Sequence, residues 1–265
     1  MTSPMALGGD QQVPAIELVG VGKDYRKMED RPTLLGALTG IHRGRPQTLS
    51  ALESVDLVVG QGETLGVIGR NGTGKTTLLR LMAGVTRPTR GTVRISGRVA
   101  PLISVGVGFN REMTGRENVI TNSMLLGLSR AEARERMGQI VEFAELEGFL
   151  DTPVKFYSSG MFMRLGFSVA VHTNPDILLV DEVLAVGDLA FQIKCMEKMG
   201  ELQACGTTVV LVSHSMQVLR VLCPRCVLLA DGRVHFDGDT QEAIARHHDL
   251  LARASSDHRA VGARS

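Results

Sequence analysis

The stretch GRNGTGKTT, Gly69–Thr77, decides how this chain is read. It fits the spacing G-x-x-x-x-G-K-[ST], with Gly69, Gly74, Lys75 and Thr76 in the fixed places and Asn71, Gly72 and Thr77 completing the loop and its helix start. A short apolar strand, ETLGVIG, precedes it and a helical pattern, KTTLLRLMAG, follows it, which is the context a phosphate-binding loop requires. Glycines let backbone N–H groups converge on phosphate oxygens without a Cβ in the way. The helix N-terminus adds a favourable dipole for the anion. Lys75 is expected to contact the β- and γ-phosphates, and Thr76 to coordinate Mg²⁺ through its hydroxyl.

A partner motif lies downstream in ILLVDE, 177–182. Four apolar residues read as a buried parallel strand. Asp181 then emerges at its C-terminal end, where α/β sheets place ligands. Asp181 is expected to hold Mg²⁺, and Glu182 to polarise an attacking water. Phosphate-loop proteins of many kinds share these two motifs, so they leave the nucleotide open.

Composition bounds the rest. The chain has 265 residues, 43% hydrophobic and 22% charged, which is ordinary for a globular protein with a sizeable core. A net charge of +1, no Trp and two Tyr give neither an electrostatic nor a base-stacking argument for nucleic acid. The first fourteen residues carry no basic and apolar regions of a signal peptide. No apolar run approaches the roughly 20 residues that cross a bilayer. The expectation is a cytoplasmic protein; if it works at a membrane, another chain must span it. Cys223 and Cys226 form CPRC, which invites a zinc or redox reading. No second pair stands at suitable spacing, and the motif ends a helix rather than starting one, so ordinary reduced thiols are expected.

Along the chain, residues 1–14 read as a loose tail and 15–25 as a strand. Residues 26–50 hold Leu34, Leu35, Leu38 and Ile41 at helical spacing, either an interfacial segment or an ordered surface insertion. ALESVDLVV (51–59) alternates as an edge or hairpin strand. RPTRGTVRISGRVAPLI gives two short strands. SRAEARERMGQIVEFAEL reads as one helix opened by a capping box, Ser129 with Glu132. DILLVD and TTVVLVS are strands, and Asp231-Gly232 is a hairpin turn. Thr240–Ala254 closes as a helix, with a frayed end after it. This predicts an α/β fold: a P-loop NTPase core with an antiparallel β flank and a helical insert at about 104–170.

YSSGM (157–161) places Ser158, Ser159 and Gly160 at a helix start, able to aim hydroxyls and N–H groups at an anion. The chain already has one phosphate cradle. A second γ-phosphate sensor makes sense if it reads the nucleotide of a neighbouring copy, so that two copies, head to tail, bury two ATP molecules. Here the sequence resembles the ATP-binding cassette (ABC) family over about residues 15–245, taken as one nucleotide-binding domain, with 246–265 as helix end and tail. The motifs stand in the family's order: Tyr25, GRNGTGKTT, YSSGM, ILLVDE, LAVGD (184–188) and LVSHS (211–215). The resemblance implies that Tyr25 stacks on adenine, Glu182 is catalytic, Asp188 belongs to the D-loop and His214 is the switch histidine. It also implies a homodimer of ATPase subunits.

GFNREMTGRENV (108–119), YSSGM and DEVLAVGD further resemble the polysaccharide-exporter branch. That implies two copies of a separate transmembrane permease, a polyprenyl-linked glycan (O-antigen, capsule, teichoic acid or galactan) as transported substrate, and a peripheral place on the cytoplasmic face of the inner membrane. Longer members carry a C-terminal carbohydrate-binding domain, which is not expected in a chain ending at Ser265. Two departures stand out. Ser159 and Met161 replace the signature's first glycine and its glutamine. Residues 98–117 contain no glutamine, where the family has one near its membrane contact. Val105, Val107 and Phe109 in this segment either face a partner, coupling ATP closure to it, or fill the core. The missing glutamine keeps a second reading open, an ATP-dependent dimerising switch with little hydrolysis. A soluble ABC ATPase of repair or translation would carry long coiled coils or two cassettes.

Overall fold

The computed structural model describes residues 13–27, 47–103, 108–181 and 187–262. Two long strands come first, β1 (Ile16–Lys27) and β2 (Gln47–Val59), paired antiparallel from Ile16↔Val59 to Lys27↔Gln47. Both run further than predicted, because Arg26-Lys27 and Gln47–Ser50 continue the ladder. The apolar pattern expected at 34–41 lies outside the described residues.

β3 (Thr64–Ile68) is buried along its whole length and leads into α1 (Lys75–Met82). β4 (Arg90–Ile95) and β5 (Val99–Leu102) follow. Next come the helices α2 (Gly115–Leu125), α3 (Arg130–Glu135), α4 (Met137–Ala144) and α5 (Ser159–Val171). The chain then alternates through β6 (Ile177–Asp181), α6 (Leu189–Ala204), β7 (Thr208–Val212) and α7 (Met216–Leu222). It closes with β8 (Arg225–Ala230), β9 (Arg233–Asp239) and α8 (Thr240–Gly262), the last longer than periodicity predicts.

The described strands form one sheet in the order β4-β1-β2-β9-β8-β3-β7-β6-β5. Its centre, β8-β3-β7-β6-β5, is parallel, and β1 with β2 and β4 makes the antiparallel flank. This is the α/β P-loop core with an antiparallel flank that the sequence predicts. An edge position for β2 is not found: it lies between β1 and β9, meeting β9 at Ser54↔Arg233. The partner is supplied from far along the chain, which local alternation does not reveal. The β8–β9 hairpin turns at Asp231 (φ 49°) and Gly232 (φ 69°), the left-handed pair that a two-residue hairpin needs.

Strand alternation divides the core between the two faces of the sheet. Ile177, Leu179, Val210 and Val212 pack under α1 with Leu78, Leu79 and Met82. Leu178, Val180, Val209 and Leu211 pack on the other face with Phe167 of α5, Phe191 of α6, Leu219 of α7 and Ile244 of α8. Phe167 and Phe191 are fully buried, each stabilising by about 1.5–3 kcal/mol. A third cluster, with Val119, Ile140, Val154, Leu165 and Val169, joins α2, α4 and α5.

That helical region is closed by two capping boxes, Thr114 with Glu117 and Ser129 with Glu132, the second as predicted. The helix after Ser129 is not continuous; it breaks at Arg136, whose guanidinium donates to His172 O at 2.6 Å. Among the described residues no helix is long and apolar enough to cross a membrane.

Candidate nucleotide site

Strand register puts the site at one edge of the sheet. Val67 of β3 pairs with Val212 of β7 and with Val227 of β8, and Val212 pairs with Asp181 of β6. Three of these parallel strands, β3, β7 and β6, therefore end within one residue of the same level. Gly69 and Ser213-His214, just beyond β3 and β7, leave the sheet beside Asp181 at its carboxyl edge, where such sheets bind ligands.

The phosphate loop is fixed by close approach. A Cβ at Gly69 would overlap Leu229 O, and one at Gly74 would overlap Ala51 O. Gly74 also caps α1 with a left-handed backbone, φ 101°, which disfavours any other residue. Lys75 is buried, and its Nζ donates to Gly69 O at 2.7 Å and to Arg70 O at 3.1 Å. The ammonium is thus held across the mouth of its own loop, over the amides that a phosphate would meet. Asn71 and Gly72 are exposed at the loop's tip, and Thr76 and Thr77 are half-buried in the first turn of α1.

Asp181 is the half-buried last residue of β6, and His214 is exposed one step beyond Ser213. Ser213 Oγ accepts from Ser215 N, and Ser215 Oγ caps α7 by accepting from Val218 N, so the loop carrying His214 is braced on both sides. Glu182 and LAV of the D-loop lie outside the described residues. No three His, Cys, Asp or Glu converge as a metal cluster among the described residues. That donor set, one hydroxyl and one carboxylate beside a phosphate cradle, fits Mg²⁺, which keeps waters and binds through few protein ligands plus phosphates. A closed cage of protein ligands is not its pattern.

Ser158 is the N-cap of α5, its Oγ accepting from Met161 N at 3.2 Å. Ser158 and Ser159 are exposed, and a Cβ at Gly160 would meet only Ser158 Oγ, at 3.9 Å. The start of this helix is therefore accessible from outside the chain. Tyr25 is 37% exposed near the end of β1 and pairs with Leu49, two residues from the β2 carbonyl that abuts Gly74. Lys23 lies over its ring, 5.2 Å from the centroid.

Asp188 is engaged within its own chain. Its Oδ1 caps α6 by accepting from Phe191 N at 2.9 Å, and its Oδ2 accepts from Arg164 at 2.7 Å. Arg164, on the signature helix, also binds Glu145 at 2.8 Å and lies over Phe191. This bridge joins the signature helix to the D-loop. Sequence reasoning passed over Arg164, although a lone cation within the apolar run MFMRLGF was its signal. Asn118 was missed too. Buried in α2, it accepts from Asn110 N and donates to the carbonyls of Asn110, Met113 and Thr114, fixing the segment before that helix. Phe109 in that segment is half-buried and packs edge-on against Phe162 at 5.1 Å. Val105 and Val107 lie outside the described residues. Burial pushes the thiols of Cys195, Cys223 and Cys226 up to about 12.

Residues 52–185 match the ABC transporter family. The O-antigen export system ATP-binding protein RfbB of Klebsiella pneumoniae is 46% identical over 76% of this chain and 82% of its own. The protein of the same name from Myxococcus xanthus is 41% identical over 93% of this chain, which spans 58% of that relative's length. The teichoic acids export ATP-binding protein TagH of Shouchella clausii is 40% identical over 90% of this chain and 66% of its own. Among solved structures, a dimeric ATP-binding cassette in a post-hydrolysis state bound to ADP and Pi superposes with a TM-score of 0.69 at 25% identity, covering 85% of this chain and 98% of that one.

Proposed function

The chain belongs to the ABC transporter family, and on that premise we propose that it is the ATP-hydrolysing subunit of a system that exports a polyprenyl-linked polysaccharide through a separate membrane protein. The observation that carries this reading is the level edge at which β3, β7 and β6 end, which gathers the Lys75 loop, His214 and Asp181. Export of a glycan is supported by the names of the O-antigen and teichoic acid relatives.

In this reading Lys75 and the loop amides hold the β- and γ-phosphates of ATP. Thr76 and Asp181 would hold Mg²⁺, which supplies charge neutralisation on the phosphate oxygens. Glu182 and His214 orient the attacking water, and catalysis is mostly positioning and electrostatics. Tyr25 stacks on the base. Ser158, Ser159 and Gly160 of a second copy close over the γ-phosphate, so two copies share two sites. The exposure of that helix start supports the sharing, as does the dimeric state of the structural neighbour. Asp188 acts by holding the D-loop against Arg164. The subunit sits peripherally on the cytoplasmic face of the inner membrane, on two copies of its permease.

Deleting the gene should trap lipid-linked glycan inside the cell and empty the surface of polymer. The unaltered gene should restore export and Lys75→Ala should not. Normal surface polymer in the deletion strain would overturn the export reading.

A further inference from the structure

α8 carries a histidine that the reading above does not use. The helix begins where Thr240 donates to Cys223 O at 2.6 Å, beside the first residue of β8 and at the end of the sheet away from the phosphate loop. It runs back along β8 and β3 toward the nucleotide edge. Its inner face is built of Ala243 and Ile244, packed with Ile68, Leu219 and Leu228. His247 is the next residue on that face, about 10 Å along the axis from the helix start. It is 7% exposed, and neither of its ring nitrogens has a hydrogen-bond partner among the described residues. Burial, then the charges of His248, Lys75 and His214, disfavour its protonated form. The imidazole therefore enters as a neutral ring with one donor and one acceptor, both unmet. One turn before it, Ile244 packs with Ile68, the last residue of the strand that leads into the phosphate loop. A leucine would fill this face without the cost of two buried unmet polar atoms. The histidine is thus out of place as core, and it lies on the helix that packs against α7, the helix entered directly from the loop carrying His214.

We propose that His247 is a positioning residue for the switch loop Ser213–Ser215: with ATP held, a ring nitrogen hydrogen-bonds the backbone of that loop and fixes His214 for hydrolysis. The proposal rests on the ATPase reading. It makes α8 part of the device that senses the nucleotide, not only packing behind the sheet.

The test is His247→Leu beside His247→Gln, followed by steady-state Mg-ATPase kinetics and thermal melting of the full chain. His247→Leu should raise the melting temperature by about 2 °C or more, because unmet polar atoms are removed. It should lower kcat about tenfold, the equivalent of about 1.4 kcal/mol, and leave the KM for ATP within about twofold. His247→Gln keeps a donor and an acceptor and should recover most of kcat. A core role would move kcat and melting temperature down together and give no recovery with glutamine. Either that pattern, or a kcat for His247→Leu within about twofold of the unaltered chain, would overturn the proposal alone. Absence of hydrolysis by the unaltered chain would overturn the ATPase reading and this proposal with it.

Discussion

Gly160→Asp puts a carboxylate into the first turn of α5, just after Ser159, where the fold tolerates it and the shared site does not. An added Cβ there meets only Ser158 Oγ, at 3.9 Å, so the side chain fits without displacing anything. The first turn of α5 contains no acid. A carboxylate near the helix N-terminus is worth about 0.3–1 kcal/mol, and replacing a helical glycine adds about 0.3 kcal/mol. At about 2–4 °C per kcal/mol for a chain of this size, the melting temperature should rise by about 1–5 °C. The same charge faces the γ-phosphate bound to a second copy. At about 5 Å and an effective dielectric of about 20, two unit charges repel by about 3 kcal/mol, enough to cut hydrolysis by roughly two orders of magnitude. Scanning calorimetry beside phosphate release tests both halves. Mixing this variant with Lys75→Ala then gives heterodimers with one intact composite site, and about a quarter of wild-type activity is expected for random isologous pairing. A melting temperature that falls with activity would make Gly160 structural. A mixture with no more activity than the separate variants would refute the shared site.

Glu182→Gln should give an ATP-stabilised dimer on size-exclusion at saturating ATP and Mg²⁺, and a monomer there would count against the two-copy assembly. Arg164→Met removes the bonds to Glu145 and Asp188, but both acids are more than half exposed. It should therefore lower stability by only about 1–2 kcal/mol while cutting ATPase about tenfold; unchanged ATPase would reduce the bridge to surface packing. Phe109→Ala loses an edge-on ring contact in a half-buried site. It should cost about 2 kcal/mol and lower the melting temperature by several degrees. An unchanged melting temperature with loss of partner-stimulated ATPase would instead assign Phe109 to coupling with the membrane subunit.

The phosphate loop was legible because its constraints are local: Gly69 and Gly74 sit where a Cβ would strike Leu229 or Ala51 carbonyls, so spacing alone marks them. The strand leading to Asp181 was equally plain, since a strand buried on both faces reads as an unbroken apolar run. Tertiary pairings were not legible. β2 reads as an edge or hairpin strand; its antiparallel pairing with β1 fits the second, but the β9 that covers its other side arrives from far along the chain. Arg164 gains its meaning from Glu145 and Asp188, on two other elements. Asp188 was read as a nucleotide-site residue from its motif, and only the structure shows both its oxygens engaged within the chain. His247 falls within the closing helix that the sequence predicts, but periodicity alone does not say that its ring lacks a hydrogen-bond partner among the described residues.

The most direct measurement of the central claim is Mg-dependent phosphate release by the purified chain as a function of its own concentration. A nucleotide completed by a second copy requires specific activity to rise with concentration as dimers form, and to vanish in Lys75→Ala at every concentration. Specific activity that is constant across the range, or hydrolysis that survives Lys75→Ala, would contradict an ATPase whose sites are shared between copies.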